Sequence, residues 1–462
     1  MPVAALLNIQ TTSRTQESKK HCTSLAKICV LAGLCAAVIL PYHSVARAAD
    51  GPAALLSSGK PVDWWFGFKF NAPSFPECTD AAKRKCIFGG KLQSYRSFGQ
   101  QFVYASRGVP LTKSSACLGD TVDDPVGATF DQIFHGSLHY VIWNDQFFKD
   151  PDLPPCRAKG FCESPWGHSK GVLAWNDAGE GVVMQVSTPN WPGAGNRAPR
   201  QRNGNTLGCL TKDGTAPQNN VLLSQGFFAS RLNKSDVVKV ARALQNASVV
   251  TEHDPNASDR PQVVNNGGPN EISGVIDQLG SLSHNTGFSD DKLSSGVRLI
   301  SKPADLHVPP WHMVSGLLGK VDLKVATFYG GGSLGAAGKI PDTNGETPSC
   351  WDHTLDQHKP GAVKNAQTGT WGGASFGLVS GTNHAKLAVG LNSDYVISGD
   401  LNQEGRLSPP PPPGNCSEGH NGRGGLFFVI QDQPLAKALR DTILSDGAPN
   451  AAALVRQELE KE

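Results

Sequence analysis

The chain has 462 residues, of which 39% are hydrophobic and 18% charged, with 51 glycines and 32 prolines. This composition excludes a disordered, collagen-like or coiled-coil protein, because it supplies enough apolar side chains for a core without a glycine period. The 42 Lys and Arg nearly balance the 40 Asp and Glu, which argues against a coat protein that binds nucleic acid through a large cationic excess. The length predicts two domains or one large bilobed domain.

The N-terminus has the pattern of a secretory signal. Three lysines precede an apolar run at 28–40, and Ala46-Arg47-Ala48 places small residues where a signal peptidase reads. The run is too short to span a membrane, so an anchor is the weaker alternative. We therefore expect residues 1–48 to be removed from a secreted protein with no stable membrane association. Its location would be periplasmic or extracellular in a bacterium, and lysosomal, vacuolar or extracellular in a eukaryote. Eight cysteines follow this leader, an even number that suggests disulfides.

The first half, residues 49–250, contains three predicted strands and one predicted helix. β-Branched and aromatic residues predict strands at 62–70, 138–143 and 181–187. Helical spacing of apolar residues predicts a helix at 235–246 with Ser235 as its N-cap.

A polar, weakly periodic segment at 251–292 is predicted to connect this half to the second, residues 293–462. The second half has predicted strands at 321–328, 395–398 and 426–430, and a helix at 434–444 with proline in its first turn. Strands interleaved with helices favour an α/β fold.

A His-x-Lys element occurs once in each half, as His168-Ser169-Lys170 and His384-Ala385-Lys386. On an extended strand the i, i+2 spacing directs imidazole and ammonium to the same face. Each element is followed by a polar turn that ends in asparagine, at Asn190 and at Asn402. One such element is weak evidence for a catalytic site, because an ordinary buried or surface histidine explains it equally well. Two elements, each followed by an asparagine turn, indicate a functional pair.

Two histidines, two lysines and two amides suit phosphodiester cleavage without a metal or other cofactor. One neutral imidazole can attack phosphorus and form a phosphohistidine, which divides a difficult displacement into two steps. The other imidazole, protonated, can donate to the leaving alkoxide and later accept a proton from water. The lysines and asparagines can bind the non-bridging oxygens, a task that metal ions perform elsewhere.

The chain resembles the deoxyribonuclease II family, acid endonucleases of the phospholipase D fold. The resemblance rests on four stretches: Gly59-Lys60-Pro61-Val62-Asp63-Trp64-Trp65 with Lys69; Asn144-Asp145-Gln146; 167–172 with 187–192; and 384–386 with 399–402 and 423–425. The wider phospholipase D pattern has an aspartate five residues after each lysine, where this chain has Trp175 and Leu391. That departure weakens assignment as a lipase and leaves the nuclease assignment intact.

This resemblance implies a pseudo-dimeric α/β fold, with two mixed β-sheet halves flanked by helices and one active site at their seam. It implies hydrolysis of DNA to 3′-phosphate ends at acid pH, by a monomer with internal two-fold pseudosymmetry, although the oligomeric state is not determined. The catalytic set that it implies comprises His168, Lys170, His384 and Lys386. The phosphate-binding set comprises Asn190, Asn402, Ser187 and Asp400, of which Asp400 is also a candidate to orient an imidazole. By analogy with the fold, His168 is the preferred nucleophile and His384 the preferred acid.

Two other functions remain open. The segment 331–335 matches Gly-x-Ser-x-Gly, as in a serine esterase, with Asp352 or Asp356 and His384 as partners; however, Pro341 leaves little room for the helix that must follow. A catalytically silent relative that binds DNA or carbohydrate is the second alternative. The family's cysteine beyond Arg423-Gly424-Gly425 is absent, so its disulfides cannot be carried over; Cys350 with Cys416 is a guess.

Overall fold

The computed structural model describes residues 51–71, 74–75, 91–92, 101–119, 121–147, 161–189, 191–192, 209–210, 223–252, 263–328, 338–379, 381–411 and 414–447. Three predicted features lie outside the described residues: the leader at 1–48, Asn190 and the Gly-x-Ser-x-Gly segment at 331–335. Residues 48–462 cluster as one unit.

The elements up to residue 250 are β1 Ala54–Leu55, β2 Pro61–Val62, β3 Trp64–Lys69, β4 Lys91–Leu92, β5 Phe102–Ser106, β6 Val109–Lys113, α1 Pro125–Phe134, β7 His139–Asn144, β8 Lys170–Trp175, β9 Gly181–Val186, β10 Cys209–Leu210, β11 Gln225–Leu232 and α2 Lys234–Asn246. Those that follow are β12 Val264–Asn265, α3 Asn270–Ile276, β13 Ser289–Lys292, β14 Arg298–Lys302, α4 Pro310–Leu317, β15 Leu323–Ala326, β16 Val363–Asn365, β17 Thr368–Trp371, β18 Ala374–Gly377, β19 Leu387–Gly390, β20 Tyr395–Gly399, β21 Gly425–Gln431 and α5 Gln433–Asp441. Among the described residues, no helix is long and apolar enough to cross a bilayer.

Two large sheets organise the chain and confirm the predicted α/β class. The first has the order β12-β7-β8-β9-β11-β3-β5-β6 and is antiparallel throughout. The second has the order β13-β14-β21-β20-β19-β15-β16 and is mixed, because β15 and β16 run parallel. Five neighbouring strands have the same topology in both sheets, β7-β8-β9-β11-β3 in one and β15-β19-β20-β21-β14 in the other. In each series the first four strands follow in chain order and the fifth comes earliest in the chain. A helix follows the fourth strand of each series, α2 after β11 and α5 after β21.

The predicted strands and helices are present with shifted ends, and one cap is wrong. The N-cap of α2 is Asn233, whose extended backbone lets its side chain accept a hydrogen bond from the amide of Asp236 at 2.9 Å. Ser235 lies inside the first turn instead. The polar segment at 251–292 contributes to both sheets, because β12 pairs with β7 and β13 pairs with β14.

Aromatic side chains from both sheets enter a shared core. The rings of Phe228 on β11 and Phe428 on β21 lie 5.0 Å apart, and both are fully buried. Each such phenylalanine stabilises the fold by roughly 1.5–3 kcal/mol through burial. Trp64, Trp65 and Trp143 are buried as well, so they pack in the core and are not surfaces for stacking bases.

A disulfide joins Cys350 to Cys416, with their Cα atoms 5.5 Å apart, which confirms the pairing suggested from the sequence. Cys117 and Cys162 each take part in a disulfide as well. The bridge between Cys350 and Cys416 closes a loop with a sequence separation of 66.

Candidate active site

Both His-x-Lys elements lie where the chain enters a central strand. Lys170 is the first residue of β8, and Lys386 directly precedes β19. The two histidines stand two residues before these lysines, just outside the strands. All four side chains are buried, with exposed fractions of 8% for His168 and 7% for His384 and less for the lysines.

The structure brings the two elements to one centre. The pKa of His168 is held well below its ordinary value by burial, and then by the positive charges of Lys170, Lys386 and Arg423. The pKa of His384 is held well below its ordinary value by burial and by Lys386, Lys170 and Lys69. Since each imidazole is subject to both lysines, residues 216 positions apart share one electrostatic environment. In the free protein this environment favours the neutral form of both imidazoles.

The tautomer of His168 follows from its hydrogen bond. Its Nδ1 lies 2.7 Å from the backbone oxygen of Asp400, and a carbonyl can only accept. Nδ1 therefore carries the proton and donates it. The lone pair of a neutral His168 is on Nε2, the atom that remains available for attack.

His384 has the opposite arrangement. Its Nδ1 lies 3.5 Å from Nε2 of Gln225, a long contact in which the amide donates. The orientation of that amide is set by Ser187, whose hydroxyl donates to Oε1 of Gln225 at 2.6 Å and accepts from the amide of Gly226 at 2.8 Å. Nδ1 of His384 is thus the acceptor, and Nε2 carries the proton.

The two lysines differ in their partners. Nζ of Lys170 lies 2.6 Å from the carboxylate of Asp145, and Arg423 binds the other oxygen of that carboxylate at 2.9 Å. Nζ of Lys386 donates to the backbone oxygen of His384 at 2.6 Å and has no ion pair within the described part of the chain. Burial, and then the charge of Lys170, lower the pKa of Lys386 to about 7.

Asp400 lies beneath the site with its carboxyl group fully buried. Burial raises its pKa to about 7, although hydrogen bonds with Ser169, Leu426 and Gln185 act in the other direction. The amide of Leu426 donates to Oδ2 at 2.9 Å. A buried, neutral carboxyl group of this kind can hold the backbone that carries the partner of His168.

The predicted phosphate ligands have different environments. Among the residues that the structure describes, the buried Oδ1 of Asn402 has no hydrogen-bond partner, while its Nδ2 donates to Glu404 at 3.1 Å. The hydroxyl proton of Ser187 is used by Gln225. Asn402 is therefore the described candidate with a polar atom still available to a ligand.

Three further residues complete the centre. Arg423 reaches across to Asp145 and to the backbone oxygens of Cys162 and Gly167 at 2.8 and 3.1 Å. The ring of His420 lies 4.6 Å from that of His168, and its Nδ1 accepts from the amide of Asn402 at 2.9 Å. Asp145 and Arg423 lie in stretches that carry the family resemblance, but no sequence signal marked their pairing. Nothing in the sequence singled out His420.

Within the described ranges, no three His, Cys, Asp or Glu side chains are grouped so that they could hold a metal ion. Asp352, one partner of the esterase hypothesis, instead caps a short 3₁₀ turn at His353–Leu355 by accepting from the amide of Thr354 at 2.9 Å.

The comparison with protein families points to the chemistry that this geometry suits. No curated protein matches the chain. Residues 55–266 match the family model of Deoxyribonuclease II, a span that includes His168 and Lys170 and ends before His384. Beyond that span, the second sheet repeats the strand order of the first, and the second His-x-Lys element lies at the start of the corresponding strand. Over residues 55–266 the chain therefore belongs to the deoxyribonuclease II family, the DNA-hydrolysing acid endonucleases.

Proposed function

We propose that this protein is a secreted, metal-independent acid endonuclease that cleaves DNA to 3′-phosphate ends through a phosphohistidine. The observation that supports this best is the opposite tautomers of the two buried imidazoles. His168 has its lone pair on Nε2, and His384 has its proton there. A nucleophile and a proton donor are thus distinguished before substrate binds.

In the first step, Nε2 of His168 attacks phosphorus and the P–O5′ bond breaks. His384, protonated to the imidazolium in the substrate complex, donates its Nε2 proton to the leaving 5′ oxygen, while the 3′-phosphoryl group stays on His168. Lys386 binds a non-bridging oxygen, because Lys170 is already neutralised by Asp145. Oδ1 of Asn402 can accept from a bound water.

In the second step, water attacks phosphorus and His384, now neutral, takes its proton. The P–N bond breaks, which frees His168 and a 3′-phosphate end. Each histidine returns to its starting state, so the cycle consumes only water.

The acid preference has two origins in this scheme. His384 must become an imidazolium, and its lowered pKa delays this until an anionic phosphate offsets the neighbouring lysines. Lys386, with a pKa of about 7, is a cation below that pH and loses its charge above it. Activity should therefore fall as pH rises through 7.

A pseudo-dimeric arrangement with its active site at the seam is part of the same proposal. It is supported by the repeated strand order and by hydrogen bonds that the backbone amide of each histidine donates to a carbonyl oxygen just before a strand of the other sheet. The predicted signal supports secretion.

The test is nicking of supercoiled plasmid at pH 5 in EDTA. His168→Ala and His384→Ala should each abolish cleavage, whereas His284→Ala, at a surface histidine whose side chain is 82% exposed, should not. Loss of wild-type cleavage in EDTA would overturn the metal-free mechanism. Cleavage that survives both active-site substitutions would overturn the assignment of the site.

A second experiment assigns the roles. Thymidine 3′-(p-nitrophenyl phosphate) has a leaving group that needs no acid, so His384→Ala should form the phosphohistidine and hydrolyse it slowly. Mass spectrometry should find the phosphoryl group on His168. A phosphoryl group on another residue would contradict the assignment.

A further inference from the structure

We propose that Lys69 and Lys302 are reciprocal positioning residues: each holds the backbone segment that orients the catalytic histidine of the opposite sheet. Both lie outside the His-x-Lys elements. Both are completely buried. The proposal concerns how the site is assembled, and it adds two residues to those that the chemistry uses directly.

The two lysines occupy equivalent places. Lys69 is the last residue of β3 and lies opposite Gln225, the first residue of β11. Lys302 is the last residue of β14 and lies opposite Gly425, the first residue of β21. The strands β3 and β11 have the same positions in one sheet that β14 and β21 have in the other.

Their contacts follow one pattern. Nζ of Lys302 donates to the backbone oxygens of Pro303, Asn421 and Arg423 at 3.1, 2.7 and 3.1 Å. Nζ of Lys69 donates to the backbone oxygens of Phe70 and Leu223 at 3.0 and 2.7 Å. Each ammonium group thus joins the residue after its own strand to the residue two positions before the partner strand.

The segments held in this way reach the other sheet's histidine. The amide of His168 donates to the oxygen of Gly424, next to Arg423, at 2.8 Å. The amide of His384 donates to the oxygen of Ser224, next to Leu223, also at 2.8 Å. Lys302 is therefore one peptide unit from the support of His168, and Lys69 is one peptide unit from the support of His384.

A lysine suits this task because strand ends leave carbonyl oxygens that no neighbouring strand satisfies. A buried carbonyl without a donor is destabilising, and one ammonium group provides three donors. Methionine has a similar length and no donor. Its introduction should release the segment without opening a large cavity.

Amide hydrogen exchange tests the proposal without any assumption about activity. Lys302→Met should accelerate exchange of the His168 amide and leave that of His384 near its wild-type rate, and Lys69→Met should do the reverse. Lys239→Met is the matched control. Nζ of Lys239 donates to a single backbone oxygen, that of Lys292, at a distance of 2.7 Å, and this contact lies outside the active site. Wild-type exchange at both histidines in every variant, or equal acceleration at both, would overturn the proposal.

Activity gives a second readout, which rests on the proposed function. On DNA, both variants should lose on the order of a hundredfold in kcat, the cost of a misplacement of about 1 Å. On thymidine 3′-(p-nitrophenyl phosphate), the loss should persist in Lys302→Met, which displaces the nucleophile, and largely disappear in Lys69→Met, which displaces the proton donor. Equal losses on both substrates in both variants would count against the proposal.

The two failures are distinguishable. A wild-type protein that cleaves neither substrate contradicts the proposed function, and the exchange data still decide the positioning role. If a methionine variant does not fold, Lys302→Gln and Lys69→Gln keep an amide group that can donate, and they should show the same selectivity with a smaller effect. Circular dichroism establishes folding first.

Discussion

Replacing Asp400 by asparagine should isolate the contribution of this one buried carboxyl group to the pH dependence of stability. The side chain keeps its shape, and its oxygen can still accept from the amide of Leu426. The backbone oxygen that receives the proton of His168 is unchanged. The substitution therefore mimics the neutral acid permanently.

The magnitude follows from the pKa, which burial raises from 3.8 to about 7. Below pH 3.8 the carboxyl group is protonated in the folded and unfolded chains alike and has no effect. Between 3.8 and 7 the unfolded chain ionises while the folded chain keeps its proton, so stability falls as pH rises. At about 1.4 kcal/mol for each pH unit, the loss amounts to about 4 kcal/mol by pH 7.

The assay is urea unfolding followed by tryptophan fluorescence between pH 4 and pH 8. The free energy of unfolding of Asp400→Asn minus that of the wild type should rise by about 4 kcal/mol over this range. Asp356→Asn, at an aspartate whose side chain is 62% exposed, is the control and should change stability by less than about 0.5 kcal/mol. Cleavage at pH 5 should stay within about threefold of wild type, because Asp400 is already neutral there.

Parallel stability curves for Asp400→Asn and the wild type would refute this reasoning. They would mean that the buried carboxyl group has the same proton affinity in both states. A large loss of cleavage at pH 5 together with normal stability would show instead that the acid's own proton is used in the reaction.

Three further predictions concern other parts of the structure. Burial lowers the pKa of His312 to about 4, so as pH falls from 6.5 the unfolded chain binds a proton at this histidine before the folded chain does. His312→Gln should therefore remove about 3 kcal/mol of the destabilisation of the folded protein in acid. An unchanged pH midpoint of acid unfolding would contradict this. Lys386→Met should lower kcat on DNA by roughly 10²–10³ and Lys386→Arg should move the alkaline limb of the pH–kcat profile upward, whereas an unmoved limb would show that another group controls it. Replacing both Cys350 and Cys416 by serine should lower the free energy of unfolding by about 4 kcal/mol in urea titrations, given the size of the closed loop, and a change below about 1 kcal/mol would contradict this.

The near-neutral charge of the sequence takes on a different meaning in the folded protein. Removal of residues 1–48 would leave 11 of the 13 histidines, and a chain protonated on all of them would attract DNA strongly in acid. In the fold, burial lowers the pKa of His168, His312, His384 and His420. These four resist charging, so the cationic gain at acid pH is smaller than the histidine count suggests.

The sequence alone determined the features that depend on short spacing and on composition. Enrichment in β-branched and aromatic residues located most of the central strands, because short runs of such residues favour extended backbone. The His-x-Lys elements were visible because i, i+2 residues share a face wherever the backbone is extended. The pairing of Cys350 with Cys416 was only a guess at this level, because the eight cysteines beyond the leader allow many pairings.

Only the tertiary structure decided how these parts act together. Which histidine can attack depends on the oxygen of Asp400 and on the amide of Gln225, which lie 232 and 159 residues from the imidazoles they orient. The contacts of the Lys69 and Lys302 ammonium groups could not be predicted from the sequence, since their partners are backbone oxygens that carry no residue-specific signal. Burial then shifted the proton affinities of His168, His384, Lys386 and Asp400, because desolvation depends on everything packed around a group and on nothing in its immediate sequence.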